Sequence, residues 1–385
     1  MMMTSSESEV PDLAMRASPD KSPSTVAPHH SALQHAPRPL PLFLALARQQ
    51  LADDPDRLLL LMQALERYRR ADRSFMRPPG AVLLHHGKTM LRSVITGKPN
   101  DVSPHGTPDV VFVPSPINAP HILDMDAECS LMGWLADHGL ACALVDWGQT
   151  AACDRADTLD TLVTDRLRPL LERLPGPVHL VGYCLGGLIA MAAACHAEVR
   201  SLTLIATPWN FSGYPAARRN ELGRMWAHHR PTCARMGLVP MEVMQHGFWT
   251  LSPEKLVEKY LTFGAMEAGS AAARRFVAIE DWANGGEPLP FALGEQLFES
   301  LYGADITGRG EWSVGGIQVS LAKVRGPAKE FASASDAIVP LACSPDLPGR
   351  EVLASGHVGM VVGSSGPKRL WPMLKDWILS HEAPN

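Results

Sequence analysis

The chain has 385 residues, 46% hydrophobic and 19% charged, with a formal net charge of −5, a globular composition able to bury one large core. That balance leaves no electrostatic footprint for nucleic acid. No run of eighteen apolar residues is present to span a bilayer, and Met1 to Val10 lacks the cationic start and apolar centre of a signal peptide.

Residues 1–38 are rich in Ser, Pro, His and Ala without apolar periodicity, which predicts a flexible tail. Leu40 to Leu51 and Pro55 to Arg70 read as helices. The second has Asp54 as N-cap, Pro55 at its first position, and Leu58, Leu61, Met62 and Leu65 along one face. Mixed charge on its polar side makes that stripe core packing rather than a membrane surface, so 39–77 is expected as an N-terminal helical layer.

From about residue 80, short apolar runs alternate with helical ones. Strands are expected at Val110 to Val113, Ala141 to Val145, Val178 to Val181, Leu202 to Ile205, Ala328 to Ala332 and Glu351 to Ala354. Helices are expected at Ile122 to His138, closed by Gly139, and Leu159 to Leu174, closed by Pro175-Gly176. Buried strands joined by helices of this length make an α/β fold, a mostly parallel, doubly wound sheet whose ligands bind at the carboxyl ends of its strands. Residues 78–208 and 326–385 form that core in this reading. The alternation fails over 209–325, where Trp226, Trp249, Trp282 and Trp312, many methionines, and helical pieces at Pro253 to Phe263 and Ala271 to Ile279 suit a lid inserted above the strand ends.

The chemistry centres on Cys184 in Val-Gly-Tyr-Cys-Leu-Gly-Gly, between an apolar strand and an apolar helix. A free cysteine is ordinarily a small core hydrophobe. Here the Gly-x-Cys-x-Gly spacing and the strand-turn-helix context form a nucleophile elbow with sulfur in place of the serine oxygen. The glycines leave room for a strained turn, and the helix N-terminus favours negative charge on the sulfur and on an oxyanion beside it. The other six cysteines form no C-x-x-C pair and no cluster with histidine at metal-ligand spacing, which predicts a reducing, cytoplasmic compartment and no metal.

A thiol nucleophile needs a base and a group that orients the base, in the chain order nucleophile, acid, histidine. Asp336 stands just past one expected strand and His357 just past the next. Each alone reads as a turn residue or an exposed histidine; their order after Cys184 selects them as candidates. The histidines at 29, 30 and 35 lie in the expected tail, and those at 85, 86, 228, 229 and 246 have no matching strand-end position.

These residues resemble the polyhydroxyalkanoate synthases, which have the α/β-hydrolase fold and a cysteine nucleophile. The resemblance rests on Val113-Pro114-Ser115-Pro116-Ile117-Asn118 with Ile122-Leu123-Asp124, Val145-Asp146-Trp147-Gly148, the Cys184 box with Thr207-Pro208, and Asp336-Ala337-Ile338-Val339-Pro340 with Ser355-Gly356-His357-Val358-Gly359. It runs from about residue 78 to the C-terminus. The elbow is also similar to that of dienelactone hydrolases, but the interval from Cys184 to Asp336 leaves room for a lid those short chains lack.

The resemblance implies acyl transfer from a 3-hydroxyacyl-CoA through a thioester on Cys184. His357 would be the general base, Asp336 its orienting group, and the backbone N–H groups of Leu185 and Ile117 the oxyanion hole. No cofactor is implied beyond the CoA thioester, which is a substrate. An acyl ester substrate, and partners in the form of a homodimer or a polymer granule, stay open. The Asp336 to His357 interval is shorter than expected for polymerising members, and Asp281-Trp282-Ala283-Asn284 replaces their usual lid motif. An esterase or thioesterase with the same triad, or an idle paralogue acting as a binding protein, therefore remain alternatives.

Overall fold

A computed structural model of the chain describes residues 35–94, 107–251 and 253–382; the tail expected over 1–38 lies outside them except for its last four residues. At its centre is an eight-stranded sheet of β1 (Val82–His86), β2 (Thr89–Ser93), β3 (Val110–Val113), β4 (Cys142–Asp146), β5 (His179–Tyr183), β6 (Ser201–Ile205), β7 (Ala328–Ser333) and β8 (Glu351–Leu353). Its spatial order is β1-β2-β4-β3-β5-β6-β7-β8. The last six run parallel, and β1-β2 is an antiparallel hairpin laid antiparallel on β4. The six expected strands are present. The hairpin was not foreseen: β1 is mostly exposed, and its His85, His86 and Thr89 neighbourhood carries no clean apolar alternation.

Central strands β3, β5 and β6 are fully buried, as continuous apolar runs covered on both faces must be. Register pairs Val113 with Gly182, Tyr183 with Ile205, and Phe331 with both Ile205 and Glu351. The carboxyl ends of these strands thus share one edge, where Cys184, Asp336 and His357 follow.

Two expected helices are altered. Over 122–138 a 3-10 turn at Pro120–Leu123 is separated from α3 (Leu131–Asp137). The reason is polar: Asp126 accepts the N–H groups of Glu128 and Cys129, and Ser130 caps α3 by accepting from Gly133, so short side chains take the backbone donors a continuous helix needs. Over 159–174, helical turns at Leu159–Thr161 and Arg168–Leu171 flank a wider stretch at Leu162–Leu167. Helix α4 (Leu185–His196) is buried from Leu185 to Cys195, matching a sequence with no polar face.

The amino-terminal pair, α1 (Leu40–Gln50) and α2 (Pro55–Arg69), has the expected cap, Asp54 accepting from Arg57 N at 3.0 Å. Its buried face is Leu61, Ala64 and Tyr68, whereas Met62 is exposed. Beyond β6 come α5 (Ala216–Met236), α6 (Met241–Leu251), α7 (Pro253–Ala265) and α8 (Ala271–Asn284). The first pair packs on α7 and α8 through a cluster holding Phe43, Tyr68, Tyr260, Phe263 and Val277. Asp281 on α8 ties it down, accepting from Tyr68 Oη at 2.6 Å and from Arg73 at 2.6 and 3.0 Å.

Candidate active site

Cys184 sits between β5 and α4 with φ 55° and ψ −129°, a backbone region that L residues rarely enter and that costs about 1–3 kcal/mol. The surrounding glycines hold it there. A Cβ on Gly186 would stand 2.0 Å from the Val113 carbonyl oxygen, and one on Gly187 1.9 Å from Thr207 Oγ1. Strand, elbow and helix therefore approach more closely than any side chain permits. The elbow is pinned by Cys184 N donating to Ile205 O at 3.0 Å and Gly187 N to Cys184 O at 2.9 Å.

Asp336 and His357, one past β7 and the other past β8, meet at 2.6 Å between Oδ2 and Nδ1. The other carboxylate oxygen accepts the N–H groups of Ile338 and Val339 at 2.7 and 2.8 Å. Asp336 is thereby held by its own turn while it orients the ring. Cys184 and His357 line the same cavity, and with Nδ1 engaged by Asp336 the imidazole has Nε2 left for the sulfur. Burial alone pulls the imidazolium down, but the charges of Asp336 and Cys184 outweigh it and raise His357 to about 10. Tyr183 closes the far side of the ring, its hydroxyl donating to His357 O at 3.3 Å. The structure thus brings all three candidate side chains together.

Leu185 opens α4, where first-turn N–H groups lack helical partners. Ile117 also lines both cavities around Cys184, but its N–H donates to Ser115 Oγ at 3.2 Å. Use of that donor for an oxyanion requires Ser115 to release or share it. Nothing in the sequence pattern had marked Ser115 beyond its place in the Val113 to Asn118 stretch.

Cys184 lines two cavities, with Ile117, Phe248 and Ile338 also common to both. The larger, ≈ 220 Å³, holds His357, Asn118, Gln245 and Trp249 and reaches exposed Lys255. The smaller, ≈ 30 Å³, is walled by Leu222, Met244, Phe298 and Tyr302. Tyr302 and Phe298 were not singled out by the sequence, because no local pattern ties them to the elbow. The remaining quoted motifs hold loops around the site. Trp147 Nε1 donates to Pro114 O at 3.1 Å, Asn118 Nδ2 to Trp282 O at 3.3 Å, and Trp282 Nε1 to Ala119 O at 2.8 Å. Asp146 accepts from Arg92 at 2.6 Å. Among the described residues no group of three or more His, Cys, Asp or Glu is placed to hold a metal ion, and no helix is long and apolar enough to cross a membrane.

Comparison with known proteins agrees with this architecture and with the resemblance. The chain is 27% identical over 284 residues to the poly(3-hydroxyalkanoate) polymerase subunit PhaC of Haloferax mediterranei, covering 70% of this chain and 58% of that protein. It is 26% identical to the same-named subunit of Haloarcula marismortui, covering 70% and 60%, and 26% identical to that of Allochromatium vinosum, covering 71% and 83%. The chain therefore spans about three fifths of the length of the two haloarchaeal relatives. The model of the Alpha/beta hydrolase family matches residues 110–370, a span that includes the elbow, the carboxylate and the imidazole. The chain belongs to the alpha/beta hydrolase family.

Proposed function

We propose that the protein is an acyltransferase of the polyhydroxyalkanoate synthase type, with Cys184 as nucleophile, His357 as general base and Asp336 as its orienting group. The observation that supports this most is the meeting of Cys184, His357 and Asp336 beside a cavity that also contains Asn118 and Gln245. In the first half-reaction the Cys184 sulfur, its proton already resting on the strongly basic His357 Nε2, attacks the carbonyl carbon of a 3-hydroxyacyl-CoA. The oxyanion is met by the N–H of Leu185, and by that of Ile117 once Ser115 yields it. Collapse breaks the bond to CoA, whose sulfur takes the proton from His357.

In the second half-reaction a hydroxyl group, from another hydroxyacyl unit or a growing chain, gives its proton to His357 and attacks the acyl-cysteine. The ester leaves, and Cys184 recovers the proton. Sulfur suits this sequence because exchanging one thioester for another is nearly isoenergetic, so the acyl group stays activated. Asp336 stabilises the imidazolium in both halves. Residues 209–325 serve in this reading as the lid above the strand ends, supplying Leu222, Met244, Phe248 and Trp249 to the cavity walls.

Incubation with 3-hydroxybutyryl-CoA, followed by intact-protein mass and CoA release, tests the reading. The wild type is expected to gain one acyl group and Cys184→Ala none. Full labelling of Cys184→Ala would remove the sulfur from the mechanism. Insoluble polymer identifies a hydroxyl acceptor, and free hydroxy acid identifies water.

A further inference from the structure

Resting on the acyl-cysteine reading, we propose that the smaller cavity behind Cys184 is the acyl pocket. Leu222, Met244 and Phe298 confine the acyl group there to about four carbons, and the Tyr302 hydroxyl receives a hydroxyl borne by that chain.

An acyl group on Cys184 has two directions open to it, because that residue lines both cavities. The larger contains His357 together with Lys255 and Lys259, so the departing thiol and the incoming hydroxyl, which must both reach the imidazole, require it. The smaller contains no charged side chain. Its ≈ 30 Å³ holds two or three water-sized groups at roughly 10–15 Å³ each, about what remains of a four-carbon acyl group beyond its carbonyl.

The walls are stiff. Phe298 stacks on Trp226 with centroids 4.9 Å apart, and Trp226 Nε1 is anchored to Glu299 at 2.8 Å. Leu222 is backed by Gly247 so closely that a Cβ there would stand 3.3 Å from its Cδ2. Longer chains cannot enter by a small side-chain shift in such packing.

Two phenols supply the polar feature of this apolar pocket. Tyr214 Oη donates to Ile338 O at 2.6 Å, and the Tyr302 ring lies beside it with centroids 5.1 Å apart. Each phenol carries one proton. Tyr214 has already given its own, whereas the Tyr302 hydroxyl, which lines the cavity, has lone pairs that can accept from a hydroxyl on the acyl chain. Burial pushes both phenols above the ordinary range, so they stay neutral.

The experiment compares acylation rates of the full chain with butyryl-, 3-hydroxybutyryl- and octanoyl-CoA, read by intact mass. At about tenfold or more for each excluded methylene, butyryl-CoA is expected to outpace octanoyl-CoA by at least about 100-fold. Leu222→Ala should narrow that ratio by about tenfold or more; Phe298→Leu reads the same wall if Leu222→Ala does not fold. Tyr302→Phe should lower the ratio of 3-hydroxybutyryl to butyryl acylation by about tenfold, the worth of one neutral hydrogen bond. Octanoyl-CoA labelling Cys184 as fast as butyryl-CoA would overturn the pocket assignment while leaving the acyl-cysteine reading intact. No labelling by any of the three would overturn both.

Discussion

Replacing Asp336 with asparagine isolates the electrostatic part of the site, because the two side chains have nearly the same shape. Oδ1 of asparagine can still accept from Ile338 and Val339, now at 2.7 and 2.8 Å, so the turn should persist. What changes is the atom facing His357 Nδ1 across 2.6 Å. An amide N–H there obliges Nδ1 to accept, puts the ring proton on Nε2, and leaves no acceptor for the proton of the sulfur. With charge centres about 4 Å apart and an effective dielectric near 20, the lost attraction is about 4 kcal/mol, or about 3 pH units. His357, held at about 10 in the wild type, should then titrate well below that value, because the carboxylate that favours its charged form is gone. Carbon-13 NMR of labelled histidine reads that change directly. Acylation by 3-hydroxybutyryl-CoA at neutral pH should fall by about 10³–10⁴, the loss expected when a triad histidine is held in the wrong tautomer.

The same pair sets a stability trend. His357 is raised from 6.5 to about 10 on folding, so its protonated pair contributes fully below pH 6.5 and is lost as pH rises through about 10. The gap in melting temperature between wild type and Asp336→Asn should therefore shrink across that window. An Asp336→Asn rate within about tenfold of wild type would refute the reasoning, since a loss of about 4 kcal/mol cannot leave so small a trace. So would a histidine titration that stayed near 10.

Three further outcomes follow from the packing. Gly186→Ala places a methyl group 2.0 Å from the Val113 carbonyl oxygen and should lower stability by about 1–3 kcal/mol while disturbing acylation; a urea melt with an unchanged midpoint would contradict the steric account of the elbow. Ser115→Ala removes the acceptor of the Ile117 N–H. If that N–H serves the oxyanion, acylation should stay within a few-fold of wild type or rise, whereas a loss of about 10² or more would assign the oxyanion contact to the serine itself. Asp281→Asn weakens the links to Arg73 and Tyr68. A loss of about 3–5 kcal/mol is the expectation for breaking a largely buried ion pair, seen as protease cleavage in α1 and α2 before the core unfolds.

The sheet was legible because its signal is local. Val110 to Val113, Val178 to Val181 and Leu202 to Ile205 are short apolar runs that only a strand covered on both faces accommodates, and Asp54-Pro55 announces a helix start within two residues. The elbow was legible for a similar reason, since Gly182, Gly186 and Gly187 stand beside the residue they serve. The break after Leu123 is not legible because Asp126 and Ser130 compete with the helix for backbone donors at a cost that apolar periodicity does not register. Met62 lies among apolar neighbours in sequence, yet its direction on α2 is set by where α7 sits.

Sequence alone determined the alternation of strands and helices, the strained position of Cys184 and the order in which carboxylate and imidazole follow it, since each depends on residues adjacent in the chain or on strand ends that local pattern reveals. Tertiary structure alone decided that Ser115 holds the Ile117 N–H, that Tyr302 and Phe298 wall the space behind the sulfur, and that this space is small. Those facts arise where segments around 115, 184, 222, 244, 298 and 338 converge. The volume left between packed side chains depends on all of them at once, and no stretch of a single segment encodes it.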